Sequence, residues 1–229
     1  MTQLLKALGL ATALLTLLAM APAEATEQGK GQTGDPAAEA FIERLAQKTL
    51  TAIADPSLDD AGRQAVFRRL LVANTDLDRF GRSALGRYSR LPTSEQFERY
   101  LEVLEDHAVS VLTSRFALFS DHRIRATGSQ VKKGRRSRFV IVASALADPS
   151  ARPVATVHWV LLDDAEGGYR IFDIVLQAAG EQGSFSMLKT QRDEFTQMLR
   201  ANGRDTELFI ETLTNRARPV VAPAKTVPY

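Results

Sequence analysis

Apolar side chains recur every three or four positions in the first half of the chain, which is the spacing of one face of an α-helix. Asp35-Pro36 predicts a helix start, because aspartate caps a first turn and proline fits its first position. Ser57 is the predicted cap of a second helix. The longest helix is predicted to begin after Thr93, which precedes Gln96 by three residues as in a capping box. Its apolar stripe contains Phe97, Tyr100, Leu101, Leu104, Ala108, Val111, Leu112 and Phe116.

After residue 120 the apolar positions alternate with polar ones, which is the period of a β-strand. Four such segments, separated by short Pro- or Gly-containing loops, predict an antiparallel meander over residues 122–131, 136–147, 152–163 and 168–178. Two helices follow, over about 185–201 and 205–215. The pattern therefore predicts a single α+β domain over residues 35–215, with amphipathic helices on a curved four-stranded antiparallel sheet.

The N-terminal segment has a different character. Lys6 precedes fourteen uncharged residues, 7–20, and the small-residue pattern Ala21-Pro22-Ala23 follows, as in a secretory signal peptide. Fourteen helical residues span about 21 Å, which is shorter than the hydrocarbon core of about 30 Å. We therefore expect export as a soluble protein. Three segments are predicted outside the domain: a signal peptide over 1–25, a flexible leader over 26–34 and a loose C-terminal tail over 216–229.

The composition of the 229-residue chain argues against several classes of function. With 29 Lys and Arg against 27 Asp and Glu, the net charge of +2 is too small for a nucleic-acid-binding surface. There is no cysteine, and the three histidines lack metal-ligand spacing. Neither a nucleophile elbow nor a glycine-rich nucleotide motif occurs. We therefore expect no catalytic residue, no metal and no cofactor.

One set of residues leaves an enzymatic alternative open. Tyr88, His158 and Asp173 are a conceivable acid–base set, because a buried aspartate beside a phenol can enolise a ketone. A structural role for these residues is favoured over catalysis, since His158 and Asp173 each lie inside a predicted strand between apolar neighbours. We therefore predict that the chain is not an enzyme. A steroid-isomerase-like enzyme is the alternative.

A basic segment lies between the first two predicted strands. It places five positive charges in seven residues around a glycine: Lys132, Lys133, Arg135, Arg136 and Arg138. Such a segment is either a solvated hairpin tip or a docking patch for an anionic partner, lipid headgroups or an acidic protein. Nucleic acid is not expected, because no aromatic residues interleave with the charges.

Several segments, taken in order, resemble MlaC-type proteins, also called the toluene-tolerance auxiliary family. The resemblance spans about residues 36–215 and rests on 75–80 (TDLDRF), 84–88 (ALGRY), 159–162 (WVLL), 168–175 (GYRIFDIV), 190–195 (TQRDEF) and 208–213 (LFIETL). Gln96, Phe97 and Tyr100 follow at the family's spacing. The segment 177–189 is longer here than the family's short turn, which leaves its role open.

The resemblance implies a periplasmic lipid carrier that shuttles phospholipid between the outer and inner membranes and so maintains outer-membrane asymmetry. It implies a strongly curved sheet like that of nuclear transport factor 2, with an apolar pocket for acyl tails. The implied partners are an inner-membrane ABC transporter with a lipid-binding ring domain and an outer-membrane lipoprotein–porin complex. A sister branch makes a hopanoid the alternative cargo, and an adaptor without ligand is a further alternative.

Periodicity alone does not distinguish a filled core from a tail-binding cavity, and packing density favours the filled core by default. The resemblance favours the cavity. Its predicted lining combines the long helical stripe with one strand parity: Leu104, Val111, Val142, Val157, Trp159, Leu161, Ile174 and Leu176, with Tyr88, Tyr100 and Met187 nearer the mouth. The other strand parity also offers an apolar face, made of Val160, Leu162, Ile171 and Val175.

Overall fold

A computed structural model describes the protein over residues 34–116, 121–133, 138–164, 167–180 and 182–217. The predicted signal peptide, all of the predicted leader except Gly34, and residues 218–229 of the predicted tail lie outside these ranges. The described residues belong to one compact unit.

Six α-helices and one 3₁₀ turn make up the helical part of the described chain. The helices are α1 (Pro36–Ala54), α2 (Asp60–Asn74), α3 (Leu77–Leu85), α4 (Ser94–Phe116), α5 (Met187–Ala201) and α6 (Thr206–Ala217), and the 3₁₀ turn is Gly86–Tyr88. The predicted α+β class is confirmed. Residues 76–90, which the pattern left as a short segment, contain α3 and the 3₁₀ turn.

Side-chain caps set most of the helix starts. The Asp35 carboxylate accepts from the Ala38 amide at 3.1 Å, as the sequence predicts. The capping box of α4 is also formed, with Thr93 N donating to Gln96 Oε1 at 2.9 Å and Gln96 N donating to Thr93 Oγ1 at 3.2 Å. The predicted cap at Ser57 is wrong: α2 begins later, and its cap is Asp59. The backbone amide and hydroxyl of Ser57 instead donate to the Asp55 carboxylate.

The sheet is an open antiparallel meander. Its strands are β1 (Arg123–Lys133), β2 (Arg138–Ala147), β3 (Pro153–Asp163), β4 (Tyr169–Ala178) and β5 (Phe185–Ser186), in the order β1-β2-β3-β4-β5. The predicted count of four strands is corrected to five. β5 has only two residues, too few to show a period, and it lies where the start of the following helix was predicted.

A β-bulge in β4 changes which side chains face the helices. Val160 pairs with Asp173 whereas Leu161 pairs with Ile171, so Phe172 is the extra residue. The bulge brings Ile171 to the helix-covered face, where it is buried, although strict alternation assigns it to the opposite face.

The core has two main parts. One packs α3, α4, α5 and α6 around the fully buried rings of Tyr100, Phe195 and Phe209, whose centroids lie 5.2 to 5.9 Å apart. The other packs α1, through Ile42, against the helix-facing residues of the sheet, among them Val140 and Trp159. The second part is the one that contains the candidate site.

Candidate functional site

A narrow apolar cavity of about 70 Å³ lies between α1, α2 and the inner face of the sheet. Its wall is formed by Leu45, Ala46, Thr49, Leu50, Phe67, Leu70, Leu71, Asn74, Thr75, Ile124, Trp159, Ile171 and Ile174. Nearly all of the surface that these residues turn toward the cavity is apolar. The site therefore suits a hydrocarbon ligand better than a polar substrate.

Helical periodicity places the residues that α1 and α2 contribute. Leu45 and Thr49, and likewise Ala46 and Leu50, are four residues apart and so share one face of α1. On α2, Phe67, Leu70, Leu71 and Asn74 follow the i, i+3, i+4, i+7 pattern. Each helix thus presents a single stripe to the cavity.

The two helical polar side chains in the wall direct their donors back into their own helices. The hydroxyl of Thr49 donates to the carbonyl of Leu45 at 2.9 Å, and the amide of Asn74 donates to the carbonyl of Leu70 at 2.7 Å. These hydrogen bonds satisfy the Thr49 hydroxyl and one N–H of the Asn74 amide within the helices. A bound acyl chain would therefore not break these two hydrogen bonds.

A polar groove adjoins the cavity, and the two share Leu50 and Ile124. The groove has a volume of about 660 Å³ and carries charges of both signs. Its charged or titratable lining residues are Asp55, Asp121, His122, Arg123 and Arg125. Hydrogen bonds from the hydroxyl and amide of Ser57 lower the pKa of Asp55, so this carboxylate is charged at neutral pH.

Six of the eleven predicted lining residues lie at or around the cavity wall. Trp159 and Ile174 form part of the wall. Val142, Val157, Leu161 and Leu176 belong to the same apolar cluster on the sheet. These six residues lie on the face of β2, β3 and β4 that was predicted to line the cavity.

The remaining predicted lining residues lie elsewhere. Tyr88, Tyr100 and Leu104 are buried in the cluster of α3 to α6. Val111 is half-buried on α4. Met187 packs with Phe67, a wall residue, and so comes closest to the cavity among the mouth residues. Lipid binding by any of the eleven residues stays a prediction.

The sequence reasoning missed the contribution of α1 and α2. Both helices show the helical spacing, but so does α4, and the pattern does not reveal which helix packs on the sheet. The available signal was the small and β-branched residues within the α1 stripe, Ala46 and Thr49, which allow close approach to a neighbouring surface.

The conceivable acid–base set is not assembled. Tyr88 lies in the cluster of α3 to α6, whereas His158 lines a groove on the opposite face of the sheet. The carboxylate of Asp173 accepts from the hydroxyl of Ser186 at 2.7 Å and from the amide of Leu188 at 2.9 Å, which joins β4 to the start of α5. Asp173 therefore has a structural role.

The basic segment is only partly described, since Arg135 and Arg136 lie outside the described residues. Lys132 and Lys133 are exposed at the end of β1. The guanidinium of Arg138 instead bridges the carboxylates of Asp35 and Asp163, so its charge is neutralised within the fold.

The described residues contain neither a metal-binding cluster nor a membrane-spanning helix. No group of three or more His, Cys, Asp or Glu side chains in this part of the chain could hold a metal ion. No helix in the described ranges is both long and apolar enough to cross a membrane.

Comparison with known proteins agrees with the resemblance seen in the sequence. Residues 43–215 match the model of the MlaC protein family. The fold is similar to that of a phospholipid-binding protein from Ralstonia solanacearum, solved in complex with a phospholipid at 1.53 Å resolution. That likeness has a TM-score of 0.62 at 17% sequence identity and covers 79% of this chain and 96% of the other. None of the curated proteins matches this chain. The family match covers most of the sequence, and the chain therefore belongs to the MlaC family.

Proposed function

We propose that the protein is a periplasmic lipid carrier that binds the acyl chains of a phospholipid between α1, α2 and the sheet. The observation that carries this proposal is an apolar cavity that adjoins a groove with charges of both signs. A phospholipid has the same division, with apolar tails joined to a charged headgroup. Membership of the MlaC family and the phospholipid-bound structure of a similar fold support the same ligand class.

The driving force for binding is burial of hydrocarbon. Each CH₂ group removed from water contributes about 0.8 kcal/mol. A free lipid would therefore not leave a membrane for water without a protein surface to cover its tails. The apolar residues of α1 and α2 supply such a surface, and the headgroup would lie toward Arg123, Arg125 and the neighbouring acids of the groove.

The cavity must widen to hold a lipid. Its volume of about 70 Å³ is far below the roughly 300–1,000 Å³ typical of ligand pockets. We expect the C-terminal half of α1 and the facing side of α2 to move away from the sheet. The N-terminus of α1 is held by Asp35, which accepts hydrogen bonds from Tyr169 on β4 and Arg138 on β2. This end of the helix would act as the fixed point.

The proposed carrier exchanges lipid with an inner-membrane ABC transporter bearing a lipid-binding ring domain and with an outer-membrane lipoprotein–porin complex. Lys132 and Lys133, exposed at the end of β1, belong to the proposed docking segment. Shuttling between these complexes would maintain outer-membrane asymmetry. A hopanoid is the alternative cargo, because a fused-ring hydrocarbon would be held by the same apolar wall.

Native mass spectrometry of protein purified from the periplasm tests the proposal. Ala46 is 5% exposed and forms part of the cavity wall, so Ala46→Phe fills space that a tail would occupy. Ala37→Phe adds the same ring at an exposed position of the same helix and is the matched control. We expect co-purified phospholipid on the wild type and on Ala37→Phe, and its loss from folded Ala46→Phe.

Two results would contradict the proposal. A wild-type protein that never carries lipid would reject the carrier function. A folded Ala46→Phe variant with undiminished lipid would reject this cavity as the tail site. The mass of the bound ligand separates phospholipid from hopanoid.

A further inference from the structure

A second concave site lies away from the apolar cavity, where the 3₁₀ turn meets the end of α5. This cleft of about 470 Å³ is lined by Arg87, Tyr88, Leu91, Arg200 and Arg204. None of the five residues lines the apolar cavity. The proposed carrier function leaves this site without a role.

Three guanidinium groups line the cleft without a compensating carboxylate. Within the described ranges, Arg87, Arg200 and Arg204 form no ion pair, whereas Arg68, Arg99 and Arg138 each do. All three side chains of the cleft are exposed, so they are open to a ligand from solvent. The result is a local excess of positive charge on a chain whose net charge is only +2.

Tyr88 lines the cleft beside Arg87. Its hydroxyl accepts a hydrogen bond of 3.0 Å from Arg87 Nη2, and the Arg87 guanidinium carbon lies 4.9 Å from the ring centroid. Burial by itself raises the pKa of this phenol, but hydrogen bonds from Arg200 and Arg87 outweigh it and leave the pKa lowered. The phenol oxygen thus already accepts a hydrogen bond from one of the three cations, Arg87.

The backbone at Arg204 adds an independent observation. Arg204 has a φ of +67°, a left-handed conformation that residues other than glycine and asparagine rarely adopt. The helix-terminal turn alone would favour glycine or asparagine here. A helix-dipole role accounts for Arg200 at the end of α5, but not for an arginine at this strained position or for Arg87 on the 3₁₀ turn.

The number of donors distinguishes between anions. One guanidinium pairs with both oxygens of a carboxylate through two parallel hydrogen bonds and compensates its single negative charge. A phosphate monoester has three terminal oxygens and a charge of −1.5 to −2 near pH 7, so it can engage several guanidinium groups at once. We infer that the cleft of Arg87, Arg200 and Arg204 binds a phosphoryl group, present either as a free phosphate or on a lipid headgroup.

Isothermal titration calorimetry with inorganic phosphate at low ionic strength tests this inference. The test variant is Arg200→Gln/Arg204→Gln. The control is Arg44→Gln/Lys48→Gln, which also removes two positive charges, but from exposed positions of α1 outside both sites. We expect about a tenfold loss of phosphate affinity for each guanidinium removed. The control should stay within about twofold of the wild type, because distant surface charges are screened.

A second measurement reports on the cleft itself. Binding of an anion neutralises the cations that lower the pKa of Tyr88, so phosphate should raise that pKa in an NMR titration of labelled tyrosines. Wild-type protein that binds no phosphate would overturn the inference. Equal affinities in the two double variants would overturn it as well.

Vesicles distinguish the two sources of the phosphoryl group. Phosphatidylcholine vesicles with and without phosphatidate are sedimented with the wild type and both double variants. If binding depends on phosphatidate and only Arg200→Gln/Arg204→Gln loses it, the site binds lipid headgroups. Phosphate binding without any phosphatidate effect assigns it to a soluble phosphate. Inorganic phosphate has no acyl chain, so its titration does not depend on the apolar cavity, and failure of the carrier proposal would remain separate from failure of this one.

Discussion

The indole nitrogen of Trp159 donates a hydrogen bond of 3.0 Å to the hydroxyl of Ser144 on the neighbouring strand, and both side chains are buried. Trp159 is the only tryptophan in the chain and forms part of the cavity wall. The hydrogen bond satisfies the one polar atom of the indole within the sheet. The rest of the ring is therefore available as apolar surface.

Ser144→Ala should lower the free energy of unfolding by about 1–3 kcal/mol, because it leaves a buried indole N–H without its partner. In a Trp159→Phe background the same substitution should have little effect, since the donor is already absent. Urea unfolding followed by circular dichroism measures both. An equal loss in the two backgrounds would show that the hydrogen bond is not the cause.

Asp35→Asn should reduce stability by about 1–2 kcal/mol at neutral pH, since it keeps a cap but weakens the bond to Arg138. Asp163→Asn removes the exposed carboxylate on the same guanidinium and should cost less than about 1 kcal/mol. Chemical denaturation of the three proteins compares these costs. A larger loss for Asp163→Asn would reject the assignment of Asp35 as the main anchor of α1.

The contribution of Asp35 should also depend on pH. Burial raises the pKa of this carboxyl, but hydrogen bonds from Tyr169, Arg138 and the Ala38 amide outweigh it, so the pKa lies below its ordinary value of 3.8. A lowered carboxyl pKa stabilises the fold above the ordinary value, and this stabilisation is lost as the pH falls through the folded-state pKa. The difference between wild type and Asp35→Asn should therefore shrink below pH 3.8. A constant difference down to acid unfolding would contradict this.

His107 should make the protein less stable in mild acid. Burial lowers the pKa of this imidazole from 6.5, and the nearby Arg216 adds to the effect while Glu194 opposes it. The unfolded chain therefore binds the proton first, and stability falls as the pH drops below 6.5 by up to about 1.4 kcal/mol per pH unit. Unfolding free energies at several pH values should show a shallower slope for His107→Gln. An unchanged slope would exclude His107 as the cause.

Gly86→Ala should destabilise the protein by about 1–2 kcal/mol. Gly86 ends α3 with a φ of +55° and a ψ of −122°, a conformation that an L-residue with a Cβ adopts only under strain. An added Cβ would also lie 3.3 Å from the Cδ of Arg192. Gly183→Ala is the control, because nothing lies within 4 Å of its Cβ position. Thermal melting of both variants compares them, and equal melting temperatures would contradict the argument.

Local interactions explain why much of the fold was predictable. The caps at Asp35 and Thr93 act within one turn of their helices, and the strand periods are properties of consecutive residues. The wrong prediction of a cap at Ser57 also has a local cause. Ser57 donates its hydroxyl to Asp55, and Asp59, two residues later, accepts from the Gly62 amide and caps the helix.

The sequence by itself determined the α+β class, the order of the longer helices and of the four longer strands, and the resemblance to the MlaC family, but it left both strand parities open. Only the tertiary structure decided that α1 and α2, rather than α4, cover the cavity. Only the pairing of β4 with β3 created the bulge at Phe172 that turns Ile171 inward. Periodicity reports which face of an element is apolar, whereas the partner of that face depends on contacts between residues far apart in the chain. The cleft of Arg87, Arg200 and Arg204 arises in the same way, because more than a hundred residues separate the 3₁₀ turn from the end of α5.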